Sequence, residues 1–303
     1  MRKVDAIILG AGPAGLSAAV YLARNNVDFI ILEKNFQGGQ IIGTPEVDNY
    51  IGFADGISGM DLGEAFYKHA TRFGAEIVYD EIEDFAISKA EKILTSKTEK
   101  YVCEALIIAT GARPAKLGIK GEAELLGKGI SFCATCDGAF FRNKAVCVVG
   151  GGNTAVEDAL YLSSLCEKVY LIHRRDELRA EAELASKLES HKNIEILYDT
   201  EVLEFNGEKN LEKVKIINKK TKNEKELELA GAFIAVGIKP NSEVFERTVT
   251  ILPSKFIETD ENLQTNINGV FAVGDVRNTP LRQVITAAAD GAIAATSVVK
   301  YLA

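Results

Sequence analysis

The sequence predicts an α/β protein made of two Rossmann-like, three-layer domains, the second inserted into the first. Three observations predict this architecture. A strand, a glycine-rich turn, a helix and another strand follow one another near the N-terminus, and the whole pattern returns with Gly150 in the place of Gly10. A pattern of short alternating strands follows each copy. The C-terminal segment that remains is too short and too apolar to form a domain of its own.

Length, composition and charge exclude several classes of protein. The 303 residues suit two domains, and 47% hydrophobic with 26% charged residues excludes a disordered chain. The net charge of −8 argues against nucleic-acid binding, which needs a basic surface. No apolar run approaches the roughly 20 residues that cross a bilayer, and Asp5 and Gly10 interrupt the N-terminal apolar stretch. We therefore expect a cytoplasmic protein that binds neither nucleic acid nor a membrane.

The first glycine-rich motif has the layout of a dinucleotide-binding fingerprint. An apolar strand enters residues 10–15 (GAGPAG), and a helix pattern then leads to a second strand, 29–32, that ends at Glu33. The glycines permit a tight turn, close approach of the backbone to a pyrophosphate, and packing of the helix on the strand. The helix N-terminus favours phosphate, and Glu33 is spaced to accept hydrogen bonds from ribose hydroxyls.

The second motif aligns with the first without a gap. A strand pattern at 146–149 enters residues 150–155 (GGGNTA), and a helix pattern leads to the strand 169–172. One such motif is a weak signal, but two in register, each inside a strand–helix–strand unit, make a strong one.

The two copies differ where each second strand ends. Glu33 ends the first copy, whereas His173, Arg174 and Arg175 end the second, with Arg179 close behind. A carboxylate repels a 2′-phosphate, and guanidinium groups bind one through paired hydrogen bonds. The second site is therefore predicted to bind NADP(H), and the first FAD or NAD. The alternative for these arginines is an ordinary solvated charged face.

Further repeats define the domain plan. Residues 76–80 (EIVYD) resemble 195–199 (EILYD), and 107–114 resemble 233–240, both ending in Gly-x-x-Pro. We expect a β-meander in each half, with the lysine-rich stretch 219–225 forming a hairpin turn. Because a strand and a helix remain after the second copy, residues 1–114 and 245–303 are predicted to form the first domain and 115–244 the second. The two crossings, 112–118 and 241–246, are the predicted hinges.

The five cysteines divide into two groups. Cys103, Cys147 and Cys166 lie in or beside apolar strand and helix patterns and are predicted to be structural. Cys133 and Cys136 form the only close pair, a C-x-x-C that indicates redox chemistry or metal binding.

A metal site is disfavoured at this pair. Zinc needs four ligands, but the sequence has no second C-x-x-C, and His69, His173 and His191 lack ligand spacing. His69 lies in a helical pattern and is predicted to have a packing or hydrogen-bonded role instead of a catalytic one. Two inert structural thiols remain an alternative for Cys133 and Cys136.

Redox chemistry connects these motifs. A nicotinamide delivers two electrons as hydride, and a flavin passes them to a disulfide. Cys133 and Cys136 would then exchange with a substrate disulfide through a mixed disulfide. Asp137 directly follows Cys136 and is placed to exchange a proton with a departing thiolate. Spacing alone does not decide which cysteine does which step.

The combination of motifs closely resembles the low-molecular-weight bacterial thioredoxin reductases. Residues 133–138 (CATCDG), 150–155 (GGGNTA) and 173–180 (HRRDELRA) match that family in its order, and the match covers nearly the whole chain. The resemblance implies FAD in the first domain, NADPH in the second, a homodimer, and thioredoxin as substrate. It further implies that Cys136 faces the flavin, Cys133 attacks thioredoxin and Asp137 is the acid/base.

The resemblance also implies two sets of cofactor-binding residues. The FAD set is Gly10, Gly12, Pro13, Ala14, Gly15, Glu33, Lys34, Gly39, Gln40, Asn49, Thr110, Gly111, Gly274, Asp275, Arg282, Gln283 and Val284. The NADPH set is Gly150, Gly152, Asn153, Thr154, Ala155, His173, Arg174, Arg175 and Arg179. Val273 and Val284 replace smaller residues usual in the family, and Asp275 has an alternative role as a simple turn residue.

Other functions remain possible at this point. The nearest is a flavin-dependent reductase for a different thioredoxin-like or peroxiredoxin partner. A small-molecule dithiol oxidase would share the flavin and the cysteines, although the arginines for NADPH argue against it. A ferredoxin-linked reductase should lack the HRR and GGGNTA motifs, and a flavin-binding sensor would not need an intact cysteine pair.

Overall fold

The chain leaves its first structural unit once and returns to it once. The computed structural model describes residues 1–44, 46–88 and 91–303. Unit 1 comprises Met1–Arg113 and Lys239–Ala303, and unit 2 comprises Pro114–Ile238. Unit 2 is therefore an insertion in the sequence of unit 1.

The first chain segment supplies most of the sheet of unit 1. Its strands are β1 (Arg2–Leu9), β2 (Phe29–Glu33), β3 (Ile77–Tyr79), β4 (Ile82–Ser88), β5 (Glu91–Ser96), β6 (Lys100–Ile108) and β7 (Ala112–Pro114). Its helices are α1 (Pro13–Arg24) and α2 (Gly59–Arg72), with a 3-10 helix at Gly39–Gly43.

The inserted segment forms unit 2 and ends at the second crossing. Its strands are β8 (Ile130–Ser131), β9 (Ala145–Gly150), β10 (Lys168–Ile172), β11 (Ile194–Leu197), β12 (Thr200–Asn206), β13 (Lys213–Asn218), β14 (Glu224–Glu228) and β15 (Gly231–Ala235), and β16 (Ile238–Pro240) carries the chain back into unit 1. Its helices are α3 (Ala134–Asp137), α4 (Asn153–Ser163) and α5 (Ala182–Ser186), with 3-10 helices at Gly138–Phe141 and Lys187–Ser190.

The returning segment adds the last strand and the longest helix to unit 1. These are β17 (Val270–Ala272) and α6 (Val284–Leu302), with 3-10 helices at Glu243–Phe245 and Gly274–Val276. No helix in the ranges that the structure describes is both long and apolar enough to span a membrane.

The sheet of unit 1 combines a parallel part with a meander. Strands β3, β2, β1, β6 and β17 are parallel neighbours, and β4, β5 and β6 are antiparallel. The long strand β6 serves both parts, because residues 100–103 pair with β5 and 106–108 pair with β17. The predicted meander of the first domain is therefore confirmed.

Side chains of unit 1 alternate between two apolar layers, as expected for strands buried on both faces. On one face, Ile8 and Phe271 pack against α1 and α6. On the other face, Ile7 packs in a cluster with Phe85 and Phe245.

Unit 2 has the same three-layer plan. Its central sheet is fully parallel, in the order β11-β10-β9-β15-β8. One face packs against α4, and the other is covered by the antiparallel meander β12-β13-β14. The lysine-rich stretch forms the turn between β13 and β14, where Lys222 has a φ of 61°. The predicted meander and hairpin turn of unit 2 are confirmed.

The predicted return to the first domain at residue 245 is wrong by several residues. Unit 1 resumes at Lys239 because Asn241 is bound to its sheet edge: the Thr110 hydroxyl donates to Asn241 O, and Asn241 Nδ2 donates to Thr110 O, both at 2.7 Å. Phe245 is fully buried, with its ring 5.3 Å from that of Phe85. The predicted hinge at 241–246 thus lies within unit 1, and the first crossing falls at Arg113 instead of residue 114.

Candidate active site

Cys133 and Cys136 form a disulfide at the start of α3 in unit 2. Their Cα atoms are 5.3 Å apart, and the backbone N–H of Cys136 donates to Cys133 Sγ at 3.2 Å. Both residues are partly exposed. The bend before them is fixed by Ser131 Oγ, which accepts from the Cys133 N–H at 3.0 Å. The predicted pair is therefore joined and accessible for exchange.

Asp137 directly follows Cys136 and is the last residue of α3. Burial raises the pKa of Asp137, and a hydrogen bond with Ser131 opposes that shift. A carboxyl with a raised pKa holds its proton to higher pH and can serve as an acid for a leaving thiolate. Ser131 was missed by the sequence reasoning, and its only signal was its position two residues before Cys133.

The other three cysteines are buried free thiols. Burial raises the pKa of Cys103 and of Cys147 to about 12, and it also raises the pKa of Cys166. Thiols that stay protonated are poor nucleophiles, which confirms the prediction that they are structural. Cys103 lies within β6, although the sequence had suggested a position just before that strand.

The second glycine motif forms the turn from β9 into α4. A Cβ atom on Gly150 would lie 2.4 Å from Ala235 O, whereas one on Gly152 would meet no atom within 4 Å. Position 150 thus has no room for a side chain, because the neighbouring strand lies too close. Gly152 leaves the backbone at the N-terminus of α4 open for a phosphate. Ala155 is fully buried against the sheet, and Thr154 is exposed.

The histidine and arginines after β10 occupy different environments. His173 is buried beneath the glycine turn, where Nδ1 donates to Gly150 O at 3.0 Å and Nε2 has no partner among the described residues. Burial lowers the pKa of His173, which favours the neutral ring. Arg174, Arg175 and Arg179 are exposed, and within residues 1–44, 46–88 and 91–303 no carboxylate pairs with them.

Asn153 braces the segment that carries Arg179. Its Nδ2 donates to Glu181 Oε1 at 3.0 Å, and its Oδ1 accepts from the Glu181 N–H at 2.9 Å. The backbone N–H of Arg179 donates to Gly151 O at 2.7 Å. The structure thereby brings the glycine turn and the arginine segment together, although Asn153 itself is engaged with protein.

The first glycine motif forms the corresponding turn in unit 1. Gly10 has a φ of 113°, and a Cβ there would lie 2.3 Å from Ala109 O. A Cβ on Gly15 would lie 1.9 Å from Gly10 O, so the turn has no room for side chains at either position. Pro13 is the first residue of α1 and Ala14 the second.

The remaining predicted FAD residues surround this turn. Glu33 accepts from the Ala11 N–H at 2.8 Å, and a Cβ on Gly39 would lie 3.0 Å from Gly12 Cα. Gln40 Nε2 donates to Ala112 O. The glycine motif, Glu33 at the end of β2 and the 3-10 helix Gly39–Gly43 therefore lie together.

Thr110, Gly111 and the start of α6 complete the set in unit 1. Gly111 has a φ of 66°, and its carbonyl accepts from the Asn241 N–H at 2.9 Å. Asn49 Nδ2 donates to Gln283 Oε1 at 3.1 Å, and Val284 is the first residue of α6. Lys34 is exposed, with no hydrogen bond or ion pair to the described residues.

Two oppositely charged side chains are partly buried near Gly274. Burial raises the pKa of Asp275, Arg282 opposes this shift, and Asp290 adds to it. The buried Nε of Arg282 has no hydrogen-bond partner in the described part of the chain. The Arg282 guanidinium lies over the Phe256 ring at 4.2 Å. Unpartnered polar groups of this kind fit a polar cofactor, because burying them alone is unfavourable.

Sequence reasoning missed three further residues in unit 1. Asn241 binds Thr110, while Arg277 and Asp290 bind each other and the Gly274 turn. Their signal was weak, because each pairs with a residue far away in sequence or on another element. In the described ranges, no group of three or more His, Cys, Asp or Glu residues could hold a metal ion.

Comparison with known proteins defines the class of this chain. The family model described as pyridine nucleotide-disulphide oxidoreductase matches residues 4–291. The chain therefore belongs to the pyridine nucleotide-disulphide oxidoreductase family and is an oxidoreductase.

Within that family, the similarity is to thioredoxin reductases. The chain is 41% identical to the thioredoxin reductase of Bacillus subtilis strain 168, over 98% of this chain and 94% of the relative. It is 42% identical to a 34.2 kDa protein in the rubredoxin operon of Clostridium pasteurianum, over 99% and 98%. The crystal structure of thioredoxin reductase from Streptococcus pyogenes MGAS5005 superposes with a TM-score of 0.95 at 38% identity, covering 99% and 98%. The resemblance predicted from the motifs is confirmed.

Proposed function

We propose that this chain is an NADPH-dependent, FAD-containing thioredoxin reductase. The observation that carries this proposal is the Cys133–Cys136 disulfide, followed in the chain by the half-buried Asp137 with its raised pKa, in the unit that also presents three unpaired arginines. The bound nicotinamide and flavin supply two electrons to the disulfide.

The chain's own residues bind both cofactors. In unit 1, the glycine turn and α1 would hold the pyrophosphate of FAD, Glu33 would accept from the ribose, and Asp275 and Arg282 would bind its polar groups. In unit 2, the turn before α4 accepts the pyrophosphate of NADPH, and Arg174, Arg175 and Arg179 bind its 2′-phosphate. His173 stabilises this turn through the hydrogen bond from its Nδ1 to Gly150 O.

The redox residues then have distinct roles. Two electrons would break the Sγ–Sγ bond and leave thiolates at Cys133 and Cys136, and Asp137 would give a proton to the thioredoxin thiolate that the attack of Cys133 displaces. Cys133 attacks the disulfide of thioredoxin and forms a mixed disulfide, which the Cys136 thiolate resolves. Two electrons thereby leave the enzyme as the thioredoxin dithiol.

The test is an anaerobic NADPH titration of the purified holoprotein, followed by flavin absorbance with and without oxidised thioredoxin. We expect NADPH to bleach the flavin, thioredoxin to restore the colour, and NADPH to be consumed steadily when both are present. A polypeptide that neither contains FAD nor can be reconstituted with it contradicts the proposal.

Cys133→Ser separates the two halves of the reaction. We expect this variant to bleach its flavin with NADPH and to lose thioredoxin reduction, because the attacking thiol is gone. Cys166→Ala, which removes a buried thiol, is the matched control and should turn over normally. Unimpaired thioredoxin reduction by Cys133→Ser contradicts the role of this residue.

We further propose a cytoplasmic homodimer. Three free thiols suit a reducing compartment, and α6 exposes Ile285 and Ile293 on its surface. Sedimentation equilibrium of the holoprotein tests the dimer, and a monomer at micromolar concentration contradicts it.

A further inference from the structure

We infer that Arg277 and Asp290 form a positioning pair that holds the Gly274–Asp275 turn in the conformation that binds FAD. The inference rests on the proposed function. Neither residue belongs to a glycine motif, and neither is placed against the cofactor. They act through the backbone of the turn.

One carboxylate ties together both sides of the turn. Asp290 Oδ2 on α6 accepts from the Gly274 N–H at 2.9 Å and from Arg277 Nε at 2.7 Å, and Asp290 Oδ1 accepts from Arg277 Nη2 at 2.9 Å. The side chains of Arg277 and Asp290 are only 15% and 8% exposed. Residues 274–277 are therefore anchored to α6 at both ends.

The turn needs this anchor because Gly274 has a left-handed backbone conformation and lies in close contact with two helices. Gly274 has a φ of 69°, and a Cβ there would lie 3.2 Å from Ala14 Cβ and 3.6 Å from Ala287 Cβ. It thus lies between the first turn of α1, which carries the glycine motif, and the first turns of α6. A shift of Gly274 moves the next residue, Asp275, relative to that motif.

Charge balance supports the same role. Asp275, Asp290, Arg277 and Arg282 are two carboxylates and two guanidiniums that are all partly or fully buried. Arg277 neutralises Asp290 directly, which leaves the Asp275 carboxylate for a ligand. Removing one member of a buried ion pair leaves the other charge uncompensated, which is far more disruptive than breaking an exposed pair.

The test compares Arg277→Met with Arg2→Met. Arg2 forms a two-pronged pair with Glu76 in the same unit, with N–O distances of 2.8 and 2.5 Å, but this pair is exposed. Each apoprotein is titrated with FAD, and the dissociation constant is read from the quenching of flavin fluorescence. Hydrogen exchange of the Gly274 amide in the apoprotein gives a second readout that does not depend on activity.

We expect Arg277→Met to bind FAD at least roughly tenfold more weakly, because an unpaired buried charge shifts the turn. Its Gly274 amide should exchange faster than in the wild type. Arg2→Met should match the wild type in both measurements. Arg277→Lys keeps the positive charge but not the two-pronged contact of the guanidinium with Asp290. Its FAD affinity and Gly274 exchange rate should lie between those of the wild type and Arg277→Met.

A double variant separates positioning from stability. Arg277→Met with Asp290→Leu removes both charges, so it should regain the thermal stability that Arg277→Met loses. It should still bind FAD weakly, because the Gly274 N–H has lost its acceptor. If Arg277→Met fails to fold, this double variant carries the test.

Each outcome decides a different question. A wild-type apoprotein that does not bind FAD overturns the proposed function. If the wild type binds FAD and Arg277→Met binds it equally well, the positioning role is wrong. Full recovery of FAD affinity in the double variant also overturns it, because the pair would then contribute only stability.

Discussion

The proposed choice of coenzyme and of reactive thiols depends on single residues. The arginines after β10 are exposed and without carboxylate partners in the described residues, and the buried cysteines are kept protonated. By contrast, Asp137, one residue after Cys136, combines partial exposure with a raised pKa. The same residue types thus differ in chemistry because their burial and neighbours differ.

Arg174→Ala with Arg175→Ala should weaken NADPH and spare NADH. Each lost charged hydrogen bond to the 2′-phosphate costs about 1.5–3 kcal/mol, and NADH has no such phosphate. The measurement is kcat/KM for both coenzymes, with Arg142→Ala, another exposed arginine of unit 2, as the control. An equal loss for NADPH and NADH would show that these arginines do not read the 2′-phosphate.

Asp158→Asn should remove a pH dependence of stability. Burial, with a smaller contribution from Glu157, raises the pKa of Asp158 to about 7. The folded state therefore holds a proton that the unfolded state releases near pH 4, so the free energy of unfolding falls as pH rises from about 4 to 7. Over this pH range, we expect the free energy of unfolding of the wild type to fall by on the order of 2–4 kcal/mol more than that of Asp158→Asn.

Urea unfolding at pH 5 and pH 7.5 measures this difference. The comparison variant is Glu157→Gln, which should keep most of the pH dependence, because burial is the larger cause of the raised pKa and Glu157 the smaller one. Parallel pH profiles for the wild type and Asp158→Asn would contradict the raised pKa of this carboxyl.

At the scale of elements, helix packing sets the shape of the proposed FAD site. Helices α1 and α6 pack closely because α6 has Gly291 at the contact. A Cβ at that position would lie 2.1 Å from Ala14 O and 2.9 Å from Ala18 N. The N-terminal turn of α1, with its free N–H groups, is thereby fixed against α6.

Gly291→Ala should therefore destabilise unit 1 and weaken FAD binding. The added methyl group meets backbone atoms that cannot rotate away, and overpacking of this kind costs about 1–3 kcal/mol. Thermal unfolding of the apoprotein and FAD titration measure the two effects. Ala292→Ser, a small change at the next position of α6, is the control, and equal behaviour of both variants would contradict the packing argument.

At the scale of the whole molecule, the insertion separates the two proposed cofactor sites. Unit 1 carries every residue predicted for FAD, and unit 2 carries every residue predicted for NADPH together with the disulfide. Each unit also has its own pair of apolar layers. This division predicts that each ligand stabilises one part of the chain.

Hydrogen exchange of the whole protein tests that division. Saturating FAD should slow exchange mainly in residues 1–113 and 239–303, and NADP⁺ mainly in 114–238. A ligand at 100 times its dissociation constant stabilises the folded state by about 2.7 kcal/mol. The variant with Arg174→Ala and Arg175→Ala should lose only the NADP⁺ effect, and protection by both ligands in the same unit would contradict the assignment.

The sequence by itself determined the two glycine turns, the strands and helices around them, the meanders and the redox pair. These features come from local patterns, because glycine positions, apolar periodicity and C-x-x-C spacing act over a few residues. The arginines of the second copy likewise stand at a fixed place in a repeated pattern.

Only the tertiary structure decided which distant side chains meet. Asn241 belongs to unit 1 because it bonds Thr110, 131 residues earlier, and Asp290 meets the Gly274 N–H and Arg277 across a turn. His173 proved to be buried beneath the glycine turn although its neighbours Arg174 and Arg175 are exposed. Such contacts depend on how strands and helices pack in space, and no short-range pattern in the chain encodes that packing.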